Sequence, residues 1–548
     1  MNQYILRRFV VLLLFCATLF FFGNNLLHLT DPDEVFYSLS AQEMINRNEW
    51  LTPYIFGQPQ FEKPLLTFWF IKISFMSLGQ TPFAARFFPA VFAAFGVLGV
   101  YALGLLGFIN EKRAFLAALV LGTSAFYFGM AKTVFTDMIF SVFILYSLLS
   151  FYTGYVHANS KRLGILFFYI FAALATLTKG PLGLLVPGLI VLVFLLYRRQ
   201  LSFLNTHWTL LGLILWFLIC GPWYWYEVLK YGQDFLHEFF YNDHWRRLLE
   251  AEHKSNDHWF FYPVTMVAGL FPWSLFLLAA FADFYKRLKF SLKPFEYFLL
   301  SWVLVVFIIF QVAHSKLASY ILPMFPALAL MTANFIDERI EEYRYQSIKK
   351  ISYVIIGLIT VLGIVSLVAF KAYQIYVPTM MPAYFLSAGL FVIGGISLTL
   401  FFKERIRQGV ILLGFCLVPV FLTAFMITSY LEPHVSMFEA CLYLPTSLHK
   451  TTILVSKPYA RGVSYYSSQE VAVMDINGQN YFSPHPIPIL NTHEKLLVFL
   501  QNQPQTFAVL KRSHYEHLSK NYPKQLHINI LKILGRNYIL KIEPIKST

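Results

Sequence analysis

Four stretches of this sequence carry residue types at spacings that could do chemistry. The first pairs Asp31-Pro32-Asp33-Glu34-Val35-Phe36-Tyr37 with a later Phe61-Glu62-Lys63-Pro64. The second is Lys132-Thr133-Val134-Phe135-Thr136-Asp137, with Asp137 opening an apolar run. The third, residues 227–258, gathers His237, His244, Arg246, Arg247, His253 and His258 among Glu238, Asp243, Glu250 and Glu252. The fourth runs from His314 to Pro323 and holds Lys316 and Tyr320. A spacing of four would put that ammonium and phenol on one face of a helix, suited to an anionic headgroup. Paired arginines suit a phosphate, and a carboxylate inside an apolar span is costly enough to point to function. Carboxylates beside cations at the bilayer edge fit chemistry on an amphiphile whose phosphate lies at headgroup level.

Each stretch also has a plainer reading. Acidic residues at a helix exit are often solvated termini, and Asp137 could cap its helix or pair with Lys132. Lys316 and Tyr320 could be interfacial snorkelling and aromatic belt. A histidine of the third stretch with a distant carboxylate such as Glu62 could hold a divalent cation, although no spacing here matches a zinc signature.

The elements that position these residues are set by composition. The 548 residues are 57% hydrophobic and only 13% charged, with a mean hydropathy of +0.57. A soluble chain carries about 25% charged residues. Apolar runs long enough to cross a bilayer recur over about the first 430 positions. The net charge of +14 sits in short clusters between those runs, such as Lys112-Arg113, Lys161-Arg162 and Arg198-Arg199. That is the positive-inside pattern and argues against nucleic acid as a partner. Arg7 and Arg8 followed by an apolar run over 9–29 read as an uncleaved first span. The alternation predicts about thirteen transmembrane helices, with the N-terminus in the cytoplasm and all four polar stretches on the outer face. A first outer loop over about 30–85 includes helix 64–79, which its aromatic content places along the interface.

The domain division expected is 1–431 for the membrane part and 432–548 for a soluble α/β domain on the outer face. In the latter, Ile453-Leu454-Val455, Val471-Ala472-Val473 and Phe507-Ala508-Val509-Leu510 read as strands, and 491–501 and 512–520 as helices. The fold class predicted is therefore mainly α and polytopic, with a small C-terminal α/β domain. The four cysteines read as small core hydrophobes.

At these motifs the sequence resembles the membrane glycosyltransferases of the GT-C fold. The branch it resembles holds the lipid A aminoarabinose transferases and the protein O-mannosyltransferases. The likeness runs through Asp33-Glu34 with Tyr37, Thr52-Pro53, Phe61-Glu62-Lys63-Pro64 with Trp69, Asp137, Lys179-Gly180-Pro181, Trp223-Tyr224, and Lys316 to Pro323. It implies a polyprenyl (undecaprenyl) phosphate sugar donor, no nucleotide cofactor, and lipid A or a related glycolipid as acceptor at a bacterial inner membrane. It also implies roles: Asp33 as catalytic carboxylate with Glu34 beside it, and Asp137 as a second essential acid. Lys63, Arg247 and Tyr320 would hold the donor phosphate, with Arg246 and Lys316 as helpers. Glu62 would hold a divalent metal with His244, or with His253 as second candidate. The chain departs from the aminoarabinose transferases at Phe36, where they carry Arg. Single displacement with inversion is expected. The rival readings are a protein O-glycosyltransferase with the same donor class, and a lipid transporter.

Overall fold

A computed structural model of the chain describes residues 3–251, 254–288, 292–445, 452–476 and 487–545. It divides into two compact units. The first comprises 1–24, 61–67 and 86–426, and the second 25–60, 68–85 and 427–548.

The first unit is helical. Among the described residues nine helices are long and apolar enough to cross a membrane, or up to eleven if each of two bent pairs counts as one span. The other two of the thirteen expected spans fall on helix Gln3–Phe21, which is not among the nine, and on helix Leu182–Arg198, an apolar helix of 17 residues. Helix Gln3–Phe21 stops short of residue 29, where Gly23 takes a φ of +80°. The run predicted over 114–131 becomes Glu111–Gly122 and Ala125–Ala131, bent by 64°, and a second pair, Phe261–Gly269 and Ser274–Arg287, bends by 116°. At the first break the hydroxyls of Thr123 and Ser124 turn back onto the carbonyls of Leu119 and Val120. The two breaks then complete each other. Ala125 N–H donates to the Phe271 carbonyl at 3.0 Å, and Trp273 Nε1 donates to Thr123 Oγ1 at 2.9 Å. Apolar surroundings demand this, because no water is at hand for freed backbone groups.

At the opposite end from Asp137, the helices are joined by ion pairs. Asp337, fully buried, accepts from Arg113 at 3.2 Å and pairs also with Arg407. Arg287 bridges Glu296 at 2.6 Å and Asp283 at 2.7 Å. Breaking a buried pair from one side is costly, so this lattice fixes the mutual register of the helices.

The second unit holds a short antiparallel hairpin, β1 (Tyr54–Ile55) and β2 (Gln58–Pro59), and a six-stranded sheet. Its strands are β3 (Ile453–Ser456), β4 (Val471–Met474), β5 (Ile489–Leu490), β6 (Thr506–Lys511), β7 (Leu526–Leu534) and β8 (Asn537–Pro544). Their order is β5-β4-β3-β6-β8-β7. The first four are parallel, and β8 pairs antiparallel with both β6 and β7. All three predicted strand runs are strands, and helices His493–Gln501 and Arg512–Asn521 fall where helices were expected. The apolar runs are continuous because both faces are covered. Ile453 and Val455 pack into one core and Leu454 into the other.

The first polar loop is divided between the units, with residues 30–60 and 68–85 in this one and 61–67 in the first. Helix Asp33–Asn46 follows Asp31, whose N–H donates to the Val435 carbonyl at 2.9 Å. Asp31 Oδ2 accepts from Met437 N–H at 3.1 Å. Burial pushes the Asp31 carboxyl well above the usual carboxylate range, against the pull of the Met437 and Gly462 amides and Arg461. Within helix Leu66–Leu78, Trp69 Nε1 donates to the Trp50 carbonyl at 2.6 Å. Lys72 buries its ammonium against the Glu49 carbonyl at 2.6 Å and the face of Trp50.

Candidate active site

In the first unit, two of the predicted phosphate-holding residues converge on a carboxylate that sequence reasoning did not single out, and a third stands beside one of them. Lys63 Nζ donates to both oxygens of Asp243, at 2.9 and 2.7 Å. Arg247 lies 2.9 Å from Asp243 Oδ1 and 3.5 Å from the hydroxyl of Tyr320. Burial alone would raise the Asp243 carboxyl, but Lys63 and Arg247 hold it below its ordinary value. It therefore stays ionised at neutral pH. Two cations on one anion leave a net positive charge, in a place where Asp243 is only 7% exposed. A phosphate oxygen is the kind of group that completes such a set.

Asp137 stands beside Tyr320 through Lys179. The Lys179 ammonium pairs with Asp137 and lies over the Tyr320 ring, 4.3 Å from its centroid. Asp137 opens helix Thr136–Val156 and Lys179 ends helix Lys161–Lys179. Its partner is thus Lys179 and not Lys132, which turns to the Phe22 carbonyl and to Asn24.

Local packing explains the convergence. Phe61 packs its ring on Tyr231 and Phe235, with centroids 5.0 and 5.5 Å apart, which brings Lys63 to the loop after helix His207–Tyr231. That loop is wound as a π-helix over His237–Arg246 and a short α-turn, Arg247–Leu249. π-Helical turns are rare and often functional. Asp243 and Arg247, four residues apart, fall on the same side of it. Helix His207–Tyr231 is in turn fastened to Thr176, near Lys179, by the Tyr224 hydroxyl and the Trp216 indole, each at 3.1 Å.

His244 Nδ1–H donates to the Phe239 carbonyl at 2.6 Å. Burial pushes the imidazole below its ordinary value against the pull of Asp243, so it is neutral near pH 7. Its ring lies against Gly180, whose φ is +84°; a Cβ there would stand 2.6 Å from Nε2. Gly180→Ala should therefore displace the π-helix that carries Asp243 and lower stability by about 1–3 kcal/mol. Thermal unfolding of the variant in detergent, alongside transfer assays, checks this. A midpoint and rate equal to the parent's would mean the fit at Gly180 is slack.

Other predicted residues are placed elsewhere. Arg246 pairs with Glu250 at 2.9 Å on a half-exposed surface. Lys316 is not on a helical face with Tyr320. The 3₁₀ helix begins only at Ala318, and the Lys316 ammonium donates to Asp257 at 2.5 Å. With His314, 2.8 Å from the same carboxylate, it fastens Asp257 to the turn before Tyr320. Glu62 contributes its backbone carbonyl to Lys63 at 2.9 Å. Among the described residues no group of three or more His, Cys, Asp or Glu side chains stands close enough to hold a metal ion. His253 lies outside the described residues.

In the second unit, Asp33 is exposed in the first turn of helix Asp33–Asn46, while Glu34 is buried. Glu34 Oε2 accepts from Thr30 N–H at 2.9 Å and from its hydroxyl at 2.8 Å, holding the entry to the helix. Phe36 is covered by the guanidinium of Arg461, 4.7 Å from the ring centroid. A residue distant in sequence thus brings a cation to Phe36.

The fold is that of a polytopic helical membrane protein. The architecture matches crystal structures of ArnT from Cupriavidus metallidurans, one bound to undecaprenyl phosphate and one apo, with a TM-score of 0.78 over 97% of each chain at 19% and 17% identity. Residues 62–226 match the family described as dolichyl-phosphate-mannose-protein mannosyltransferase. Two curated relatives carry the description undecaprenyl phosphate-alpha-4-amino-4-deoxy-L-arabinose arabinosyl transferase. The one from Serratia proteamaculans is 31% identical over 366 residues, 66% of this chain and 64% of that protein. The one from Yersinia enterocolitica is 30% identical over 348 residues, 62% of this chain and 61% of that protein. The matched region therefore spans somewhat under two thirds of these relatives. The GT-C resemblance read from the motifs holds at the level of the fold.

Proposed function

We propose that the chain is a glycosyltransferase that moves a sugar from polyprenyl (undecaprenyl) phosphate to lipid A or a related glycolipid, on the periplasmic face of a bacterial inner membrane. The observation that carries this reading is the meeting of Lys63 and Arg247 at Asp243, with Tyr320 between Arg247 and the Lys179–Asp137 pair. A polyprenyl phosphate is already a leaving group, so the barrier falls when its developing charge meets preorganised cations. Asp137 and Asp33 are the carboxylates proposed for the acceptor side, where one would orient or deprotonate it. Asp33 is supported by its exposure at a helix start and by its motif, and Glu34 by the motif alone.

The Phe239 carbonyl holds His244 Nδ1–H, which leaves Nε2 as the nitrogen that could face a metal, and among the described residues no set of three donors surrounds it. No step is assigned to a metal. The match of 62–226 to a protein mannosyltransferase family favours one second reading, transfer to a protein hydroxyl from the same donor class.

Mass spectrometry of lipid A from cells with and without the gene, repeated with Asp33→Asn, separates the two. Loss of a sugar-sized mass in the deletion, not restored by Asp33→Asn, is the result expected. An unchanged lipid A profile would move the acceptor to protein, and restoration by Asp33→Asn would remove Asp33 from the chemistry.

A further inference from the structure

A groove in the first unit takes no part in the site above. It has a volume of about 400 Å³ and is lined by Leu14, Phe22, Phe128, Phe421, Leu422 and Phe425, among others. Helix Gln3–Phe21, helix Ala125–Ala131 and helix Leu417–Met426 supply its walls. The one polar lining side chain, Thr18, turns its hydroxyl back to the Leu14 carbonyl at 3.0 Å. Such a trough, in helices that cross a membrane, selects a hydrocarbon chain.

Its end is not apolar. The Lys132 ammonium donates to the Phe22 carbonyl and lies 5.4 and 5.7 Å from the ring centroids of Phe128 and Phe425. Its other acceptor is Asn24 Oδ1 at 3.0 Å; among the described residues no carboxylate pairs with Lys132, and burial with the nearby Arg86 pushes the ammonium pKa down to about 7. Asn24 itself is 2% exposed, and its Nδ2 has no hydrogen-bond partner among the described residues. A buried amide donor without an acceptor is costly, and so is a cation at a bilayer edge without an anion. Both deficits lie at one mouth, and one anionic oxygen group answers both.

We infer that this groove is a phospholipid site, with one acyl chain in the trough and the phosphate diester on Lys132 Nζ and Asn24 Nδ2. The charge complementarity at the mouth selects a phospholipid over a neutral lipid, because an ester carbonyl brings no negative charge to Lys132. Lys132 precedes Asp137 on one interhelical turn. A lipid bound there steadies that turn from the side away from Lys179.

The inference stands independently of the proposed reaction. Its test is native mass spectrometry of the full chain in neutral detergent, with palmitoyl-oleoyl phosphatidylglycerol as probe and the diacylglycerol of the same chains as control. The parent should retain phosphatidylglycerol and release diacylglycerol. Lys132→Gln should weaken phosphatidylglycerol binding by about tenfold or more, and Lys132→Arg should restore it. Leu422→Trp, which fills the trough, should also lose the lipid, with Leu422→Phe as a milder version should the first not fold. Lys63→Gln should leave the adduct intact. Equal retention of diacylglycerol, or an adduct that survives in both Lys132→Gln and the groove-filling variant, would overturn the inference. So would loss in Lys63→Gln alone, which would assign the lipid to the Asp243 cluster.

Discussion

Lys63→Gln should slow sugar transfer by about two to three orders of magnitude, the usual loss when one preorganised donor is withdrawn from developing charge. The ammonium is held on three sides, by both Asp243 oxygens and by the Glu62 carbonyl. Its charge is thereby held in place, and a phosphate oxygen takes over or shares one of these three donors as the sugar–oxygen bond lengthens. Glutamine keeps a donor but loses the charge, and it leaves Asp243 balanced by Arg247 alone at that site. Arg246→Gln is the contrast. Its guanidinium faces Glu250 on a half-exposed surface, where an ion pair is worth about 0–1 kcal/mol, so the rate should stay within about fivefold. Steady-state transfer from a polyprenyl phosphate sugar, with kcat and donor KM resolved, measures both. A Lys63→Gln enzyme as active as the parent, or an Arg246→Gln enzyme as damaged as Lys63→Gln, would separate the Asp243 cluster from the donor phosphate.

Asp137→Asn should have the second large effect, and on two quantities. It leaves the Lys179 ammonium, 10% exposed, without its anion among apolar helices. Removing one partner of a buried pair costs about 3–5 kcal/mol. Thermal unfolding in detergent should show this as a lowered midpoint. Adding Lys179→Met removes the stranded charge and should recover most of the stability. The rate should not recover, because the carboxylate proposed for the acceptor is still missing. The double-mutant cycle thus separates structural from chemical loss. If the double variant regained transfer, Asp137 would be a counter-ion to Lys179 and nothing more. If neither variant moved the midpoint, the pair would be solvated.

Much of this was legible in the residues. Apolar runs with cationic clusters between them fixed a membrane protein, since chain composition alone decides whether a surface can meet water. The continuous apolar triplets at 453–455, 471–473 and 507–510 marked strands covered on both faces. All are strands of the sheet, because local hydrophobicity and β-branching decide such elements. The polar stretches around Lys63, Asp137, Arg247 and Tyr320 were also visible, as polar groups that an apolar chain keeps at a cost. Even Asp243 left a trace, its spacing of four from Arg247, which reads as an ion pair once that loop is helical.

What the sequence could not decide is which charge meets which. Lys63 and Asp243 are 180 residues apart, and Asp137 and Lys179 are 42 apart. Pairing across such distances is set by helix packing, and no local pattern distinguishes Lys132 from Lys179 as the partner of Asp137. Lys316 and Tyr320 had the right spacing for one helical face, yet the helix starts after Lys316 and Asp257 captures the ammonium. Arg246 and Arg247 are neighbours in the chain, and one turns to Glu250 while the other turns to Asp243. The breaks within two of the spans belong to the same class. They survive because Ala125 and Thr123 at one break find Phe271 and Trp273 at the other. Composition and periodicity fix which segments are buried, since those are sums over neighbours along the chain. The site is a set of distances between segments, and only the packed structure supplies those.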